Sequence, residues 1–210
     1  MFVFKAAVVG AGTMGGEIAQ VIASAGVPVV LKDVEQEFVE VGLTKARDVT
    51  EAQLAALVAK GKFSEEDSRR QLEEIVGRMT GVTGYDEFGD VDFVIEAVPE
   101  RMDIKQAVFS ELDELTPGHA ILASNTSSLS VTEMGEATTR PDKVCGFHFF
   151  YPASMMRLIE VIEGEDTSEE TIQAAANFAQ AIRKTSIRCG EVPASSSTGS
   201  STQRSPSCGA

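Results

Sequence analysis

The chain has 210 residues, 43% of them apolar, which suffices for one domain with a sizeable core and is an ordinary balance for a globular protein. Its formal charge of −14 argues against nucleic acid or an anionic membrane as a partner, and an anionic substrate would need a local basic patch. No stretch approaches a membrane span, and the first apolar run lacks the charged start and cleavage site of a signal peptide, so a cytoplasmic protein is expected.

In chain order, Phe2–Val9 is a short apolar run with one lysine, Lys5, inside it, as expected for a buried parallel strand. A glycine-rich turn follows, then a helix over Glu17–Ala25 that Gly26 ends, then a strand over Val27–Leu31 with Asp33 at its end. Glu35 to about Lys60 is helical in spacing, with Leu43, Ala46, Leu54, Leu57 and Val58 on its inner face. Gly61-Lys62 breaks it, and Ser64 with Asp67 looks like a cap for a second helix running to about Arg78. Residues 36–79 thus read as a helical hairpin inserted after the second strand.

The alternation then resumes. Asp92–Val98 is a predicted strand, Met102–Leu115 a helix, and Ala120–Ala123, Val144–Phe150 and Leu158–Ile162 are further strands. Thr167 or Ser168 caps a helix to about Arg183, and Ser186–Cys189 is a last short strand. Residues 1–190 are therefore expected to form an α/β, Rossmann-like, doubly wound, mostly parallel sheet. Cys145, Cys189 and Cys208 are odd in number and lack metal-ligand spacing, so they read as reduced thiols, with no metal site.

Gly10, Gly12 and Gly15, with Ala11, Thr13 and Met14 between them, spell G-x-G-x-x-G between a predicted strand and helix. The first glycine permits a tight turn, the second lets a pyrophosphate approach the backbone, and the third lets helix and strand pack closely. A plain glycine-rich turn is the alternative. Asp33 at the end of the second strand favours the dinucleotide, since it accepts bonds from a ribose and repels a 2′-phosphate, so NAD is expected over NADP; Lys32 beside it points the other way.

Of two histidines, His119 follows Pro-Gly and reads as a surface residue. His148 lies in an apolar strand and needs a hydrogen-bond partner there, whether as a satisfied core residue or as a functional one. Glu160, a carboxylate among aliphatic residues, is a candidate partner, unless its strand lies at an exposed edge. Such a pair is the arrangement expected of a general base held in one tautomer. The hydroxyl-rich run 124–128 follows a strand, where it could cap the next helix or position a ligand.

Four segments, residues 10–15, 92–100, 124–129 and 146–152, occur in an order and spacing that resemble the 3-hydroxyacyl-CoA dehydrogenase family, over residues 4 to about 193. The resemblance implies NAD-dependent oxidation of an (S)-3-hydroxyacyl-CoA, such as 3-hydroxybutyryl-CoA, by a homodimer. It matches His148 to the catalytic histidine, Glu160 to the acid that orients it, and Ser127 to a serine touching substrate and cofactor. Glu100 and Lys105 match residues beside the nicotinamide ribose. The hairpin would help hold CoA, with Lys45, Lys60 and Lys62 as phosphate contacts to choose among. A non-catalytic NAD-binding module and a dehydrogenase of small 3-hydroxy acids without CoA are the other readings.

The family pattern continues past Pro193 with Gly-Phe-x-x-Asn-Arg and an all-helical domain that supplies the dimer interface and part of the acyl pocket; here residues 194–210 are Ser-rich, expected to be disordered, and impaired turnover follows. A serine codon beginning TC becomes NTC in a shifted frame and encodes only Phe, Leu, Ile or Val. With the free third codon bases chosen to suit, a single-base deletion near Pro193 lets the other frame read Gly-Phe-Val-Val-Asn-Arg, so a frameshifted start of that domain is the expectation, against a divergent tail or an added linker.

Overall fold

In the computed structural model, which describes residues 2–191, the first βαβ unit is β1 (Ala6–Val9), α1 (Thr13–Ser24) and β2 (Val29–Lys32). The expectations for Cys208 and for residues 194–210 lie outside the described residues. Helix α1 starts at Thr13, four residues before Glu17, with Gly15 and Gly16 inside its first turns. Those glycines are poor helix formers, but the tight approach they allow outweighs propensity. The first strand is shorter than its apolar run, and Phe2 and Phe4 stand exposed.

The inserted hairpin is α2 (Gln36–Ala59) and α3 (Glu65–Val76). Ser64 accepts a bond from the Asp67 N–H, the expected cap. Val39, Gly42, Ala46, Thr50 and Leu54 are its buried inner face, while Leu43, Leu57 and Val58 are half-buried. A strand that periodicity missed, β3 (Met79–Val82), follows directly. It is a half-buried edge strand with Gly81 in it, where a Cβ would lie 2.5 Å from Val39 Cγ1 and 2.7 Å from Leu43 Cδ1. Packing against α2, not a run of apolar residues, makes it a strand.

Beyond it come β4 (Phe93–Glu96), α4 (Met102–Leu115), β5 (Ile121–Ser124), the short α5 (Val131–Gly135), β6 (Val144–Phe149), β7 (Leu158–Glu163), α6 (Glu169–Ala181) and β8 (Thr185–Gly190). Ser168 is the α6 cap, accepting from the Thr171 N–H, whereas the Thr167 hydroxyl ties Gly164 N to Val144 O. The sheet runs β3-β2-β1-β4-β5-β6-β7-β8, parallel except for the β6–β7 pair. Side chains alternate between two cores, Ala6 and Val8 with Phe93, Phe147 and Phe178 on one face, Ala7 and Val9 with Phe88, Phe109 and Leu112 on the other. Strand order reverses between β1 and β4, and a crevice opens at their carboxyl ends, the place where doubly wound sheets bind ligands.

Among the described residues no helix is long and apolar enough to cross a membrane. Cys145 is a free, fully buried thiol, and burial pushes its pKa up to about 12. Cys189, on the last strand of the sheet, is disulfide-bonded, so the reading of it as a reduced thiol is corrected.

Candidate active site

The turn after β1 is built by close approach. Gly10 has φ +102°, and a Cβ there would lie 2.6 Å from the Ala97 carbonyl oxygen. At Gly15 a Cβ would sit 1.7 Å from the Gly10 oxygen, so no other residue lets α1 start so near the end of β1. At Gly12 nothing lies within 4 Å, and the missing side chain leaves open space instead. Gly12 also caps α1 without a side-chain bond, so the first-turn amides face that space with the positive end of the helix.

The space is a cleft of about 720 Å³, walled by Gly10–Met14, Asp33, Phe38, Ala97, Glu100 and Asn125. Asp33 borders it, its carboxylate accepting from Ala11 N at 2.6 Å and Val34 N at 2.7 Å. Lys32 also lines the cleft, with its ammonium 4.3 Å over the Tyr85 ring. Val34, Phe38 and Val41, which sequence reasoning passed over, form an exposed apolar lip on this side of the cleft. A backbone cradle open at Gly12, an acid for a ribose and an apolar lip together fit a dinucleotide.

Behind the cleft lies a buried network. Glu96, at the carboxyl end of β4, and Lys105, on α4, are 0% and 1% exposed. Lys105 Nζ donates to both Glu96 oxygens, at 2.7 and 2.9 Å, and lies 3.1 Å from Glu100 Oε2. Ser124 Oγ and Val98 N also donate to Glu96, at 2.6 and 2.7 Å. Burial pushes the Glu96 carboxyl up despite these partners. Burial also pulls at Glu100, but the Thr126 hydroxyl and the Lys105 ammonium outweigh it and hold that carboxyl below its ordinary value. Lys105 does not line the cleft; it stands behind Glu100, which does. Glu96 was missed, although the test applied to Glu160, a carboxylate in an apolar strand, would have found it.

The run after β5 divides its work. Ser124 is buried against Glu96, while Thr126 donates to Glu100 and accepts from Ser128 N and Leu129 N. Ser127 is exposed, its N–H 3.3 Å from Glu100 Oε1. None of them caps α5; Ser130 does. Asn125, also unforeseen, lines the cleft and accepts from Phe149 N at 2.8 Å, tying the cofactor side to the residue after His148.

His148 and Glu160 are direct cross-strand partners in the antiparallel β6–β7 pair. His148 Nδ1 lies 2.8 Å from Glu160 Oε2, with the two side chains 16% and 14% exposed. A half-buried imidazole held at Nδ1 by a carboxylate keeps Nε2 for another partner. His119 is at the surface, 3.1 Å from Asp92. Lys45 pairs with buried Glu17 at 3.2 Å and donates to the Thr13 carbonyl, while Lys60 and Lys62 are exposed at the hairpin tip.

Comparison with known proteins bears on this geometry. The family model for the 3-hydroxyacyl-CoA dehydrogenase NAD-binding domain matches residues 5–192. A 3-hydroxybutyryl-CoA dehydrogenase of Clostridioides difficile is 42% identical over 90% of this chain and 64% of its own length. A probable 3-hydroxybutyryl-CoA dehydrogenase of Deinococcus radiodurans is 39% identical, over 90% and 65%. The crystal structure of an (S)-3-hydroxybutyryl-CoA dehydrogenase from Ralstonia eutropha superposes with a TM-score of 0.81 at 34% identity, covering 91% of this chain and 65% of that one. The chain thus spans just under two thirds of the length of these relatives.

Proposed function

Because the chain belongs to the 3-hydroxyacyl-CoA dehydrogenase family and its cofactor is NAD, we propose that it oxidises an (S)-3-hydroxyacyl-CoA, such as 3-hydroxybutyryl-CoA, to the 3-oxoacyl-CoA, with the His148–Glu160 pair as general base. The observation that carries the reading is that pair, set in register beside a dinucleotide cleft and linked to it through Asn125. When bound, NAD supplies the hydride acceptor. His148 takes the 3-hydroxyl proton at Nε2, and Glu160 fixes the tautomer and stabilises the imidazolium that forms. Ser127 orients the hydroxyl, and Glu100, braced by Lys105, holds the nicotinamide ribose. Gly10 to Gly15 carry the pyrophosphate and Asp33 the adenosine ribose. A homodimer is the proposed state; the 210 residues alone are expected to turn over slowly, since positioning supplies much of such catalysis.

The test is substrate choice. NADH formation is followed with (S)-3-hydroxybutyryl-CoA and, separately, with free 3-hydroxybutyrate. The proposal expects NADH from the thioester only. Equal rates with the free acid would replace it with a dehydrogenase of small 3-hydroxy acids.

A further inference from the structure

Removing two opposite charges from water is costly, and replacing such a pair with apolar groups of similar volume is often neutral or stabilising. Stability alone therefore does not explain Glu96 and Lys105, both fully buried at the edge of the cleft. Their geometry does. A lysine ammonium has three donors. Two are committed to Glu96, and the third direction points at Glu100 Oε2, 3.1 Å away. Glu96 is itself pinned from the strand ends by Ser124 Oγ and Val98 N. Glu100 is the only member of this carboxylate–ammonium–carboxylate row that lines the cleft, and it is 41% exposed.

We propose that Glu96 is a positioning residue for the cofactor: it aims the Lys105 ammonium at Glu100, and so fixes the carboxylate that receives the ribose on the nicotinamide side. This rests on the reading of Glu100 above. Glu96 touches neither cofactor nor substrate and acts through Lys105. Without its charge the ammonium would follow Glu100 toward the solvent, and the Glu100 oxygens would lose their fixed place at the cleft wall.

The test is NADH binding by fluorescence titration, with thermal melting in parallel, on the whole chain and its Glu96→Gln, Lys105→Met and double variants. Glu96→Gln is expected to weaken NADH binding about tenfold and lower the melting temperature by about 10 °C, because it leaves a buried ammonium short of charge. Lys105→Met weakens NADH to a similar degree. In the double variant the unpaired charge is gone, so melting recovers while NADH affinity stays as low as with Lys105→Met alone. Double-variant affinity that recovers together with melting would reduce Glu96 to a structural role and overturn the proposal, as would unchanged affinity in Glu96→Gln. The double variant keeps the test decisive if Glu96→Gln does not fold. Neither measurement involves an acyl-CoA, so the proposed oxidation stands or falls separately.

Discussion

Two glutamates four residues apart, Glu96 and Glu100, share one ammonium and are driven in opposite directions: burial raises Glu96, whereas Thr126 and Lys105 hold Glu100 down. The consequence for Glu100 can be signed. Its folded pKa is depressed, so its contribution to stability is fully present above the ordinary carboxylate pKa of about 4.3 and is lost as pH falls through the folded value. Glu100→Gln should therefore melt below the parent at neutral pH, with the gap closing as the solution is acidified below about pH 4. Melting curves across that range check it; a gap that widens toward acid would contradict the assignment. The same residues show why a site is only partly legible in sequence. His148 and Glu160 could be paired because each is a polar residue in an apolar strand. The bond between Asn125 and Phe149 joins residues 24 apart through the sheet order, and no local pattern announces it.

At the scale of elements, helices and central strands were readable because burial imposes their periods, and the Ser64 cap because its side chain acts within four residues. The edge strand β3 and the five-residue α5 were not, since packing against neighbours decides them. The start of α1 was misplaced for a related reason, its two glycines serving contacts with β1 and α2. That contact map separates two substitutions of the same chemistry. Gly15→Ala drives a methyl into the Gly10 carbonyl and is expected to lower the melting temperature by about 3–10 °C or prevent folding. Gly12→Ala meets nothing in the protein, so melting should hold while NADH affinity falls about tenfold or more, since the methyl projects where the pyrophosphate approaches. Thermal melting and NADH titration of both variants read this directly; the reverse ranking would disprove the assignment of the cradle.

For the whole molecule, function follows from where the sheet changes direction. The reversal between β1 and β4 opens the cofactor cleft, and the antiparallel turn from β6 to β7 sets His148 opposite Glu160. The chain carries a net charge of −14, so the proposed acyl-CoA would have to be received by local cations. Tyr151, Met155 and Met156 are exposed in the loop that joins the two strands of the pair. The proposed role of His148 as the base of the oxidation is tested by single-turnover NADH formation. Protein in excess over (S)-3-hydroxybutyryl-CoA and saturating NAD reveals even slow chemistry. NADH should form with the parent chain and about 100-fold or more slowly with His148→Gln, with NADH affinity unchanged. Equal single-turnover rates in parent and variant, or no NADH from a parent that binds the cofactor, would contradict it.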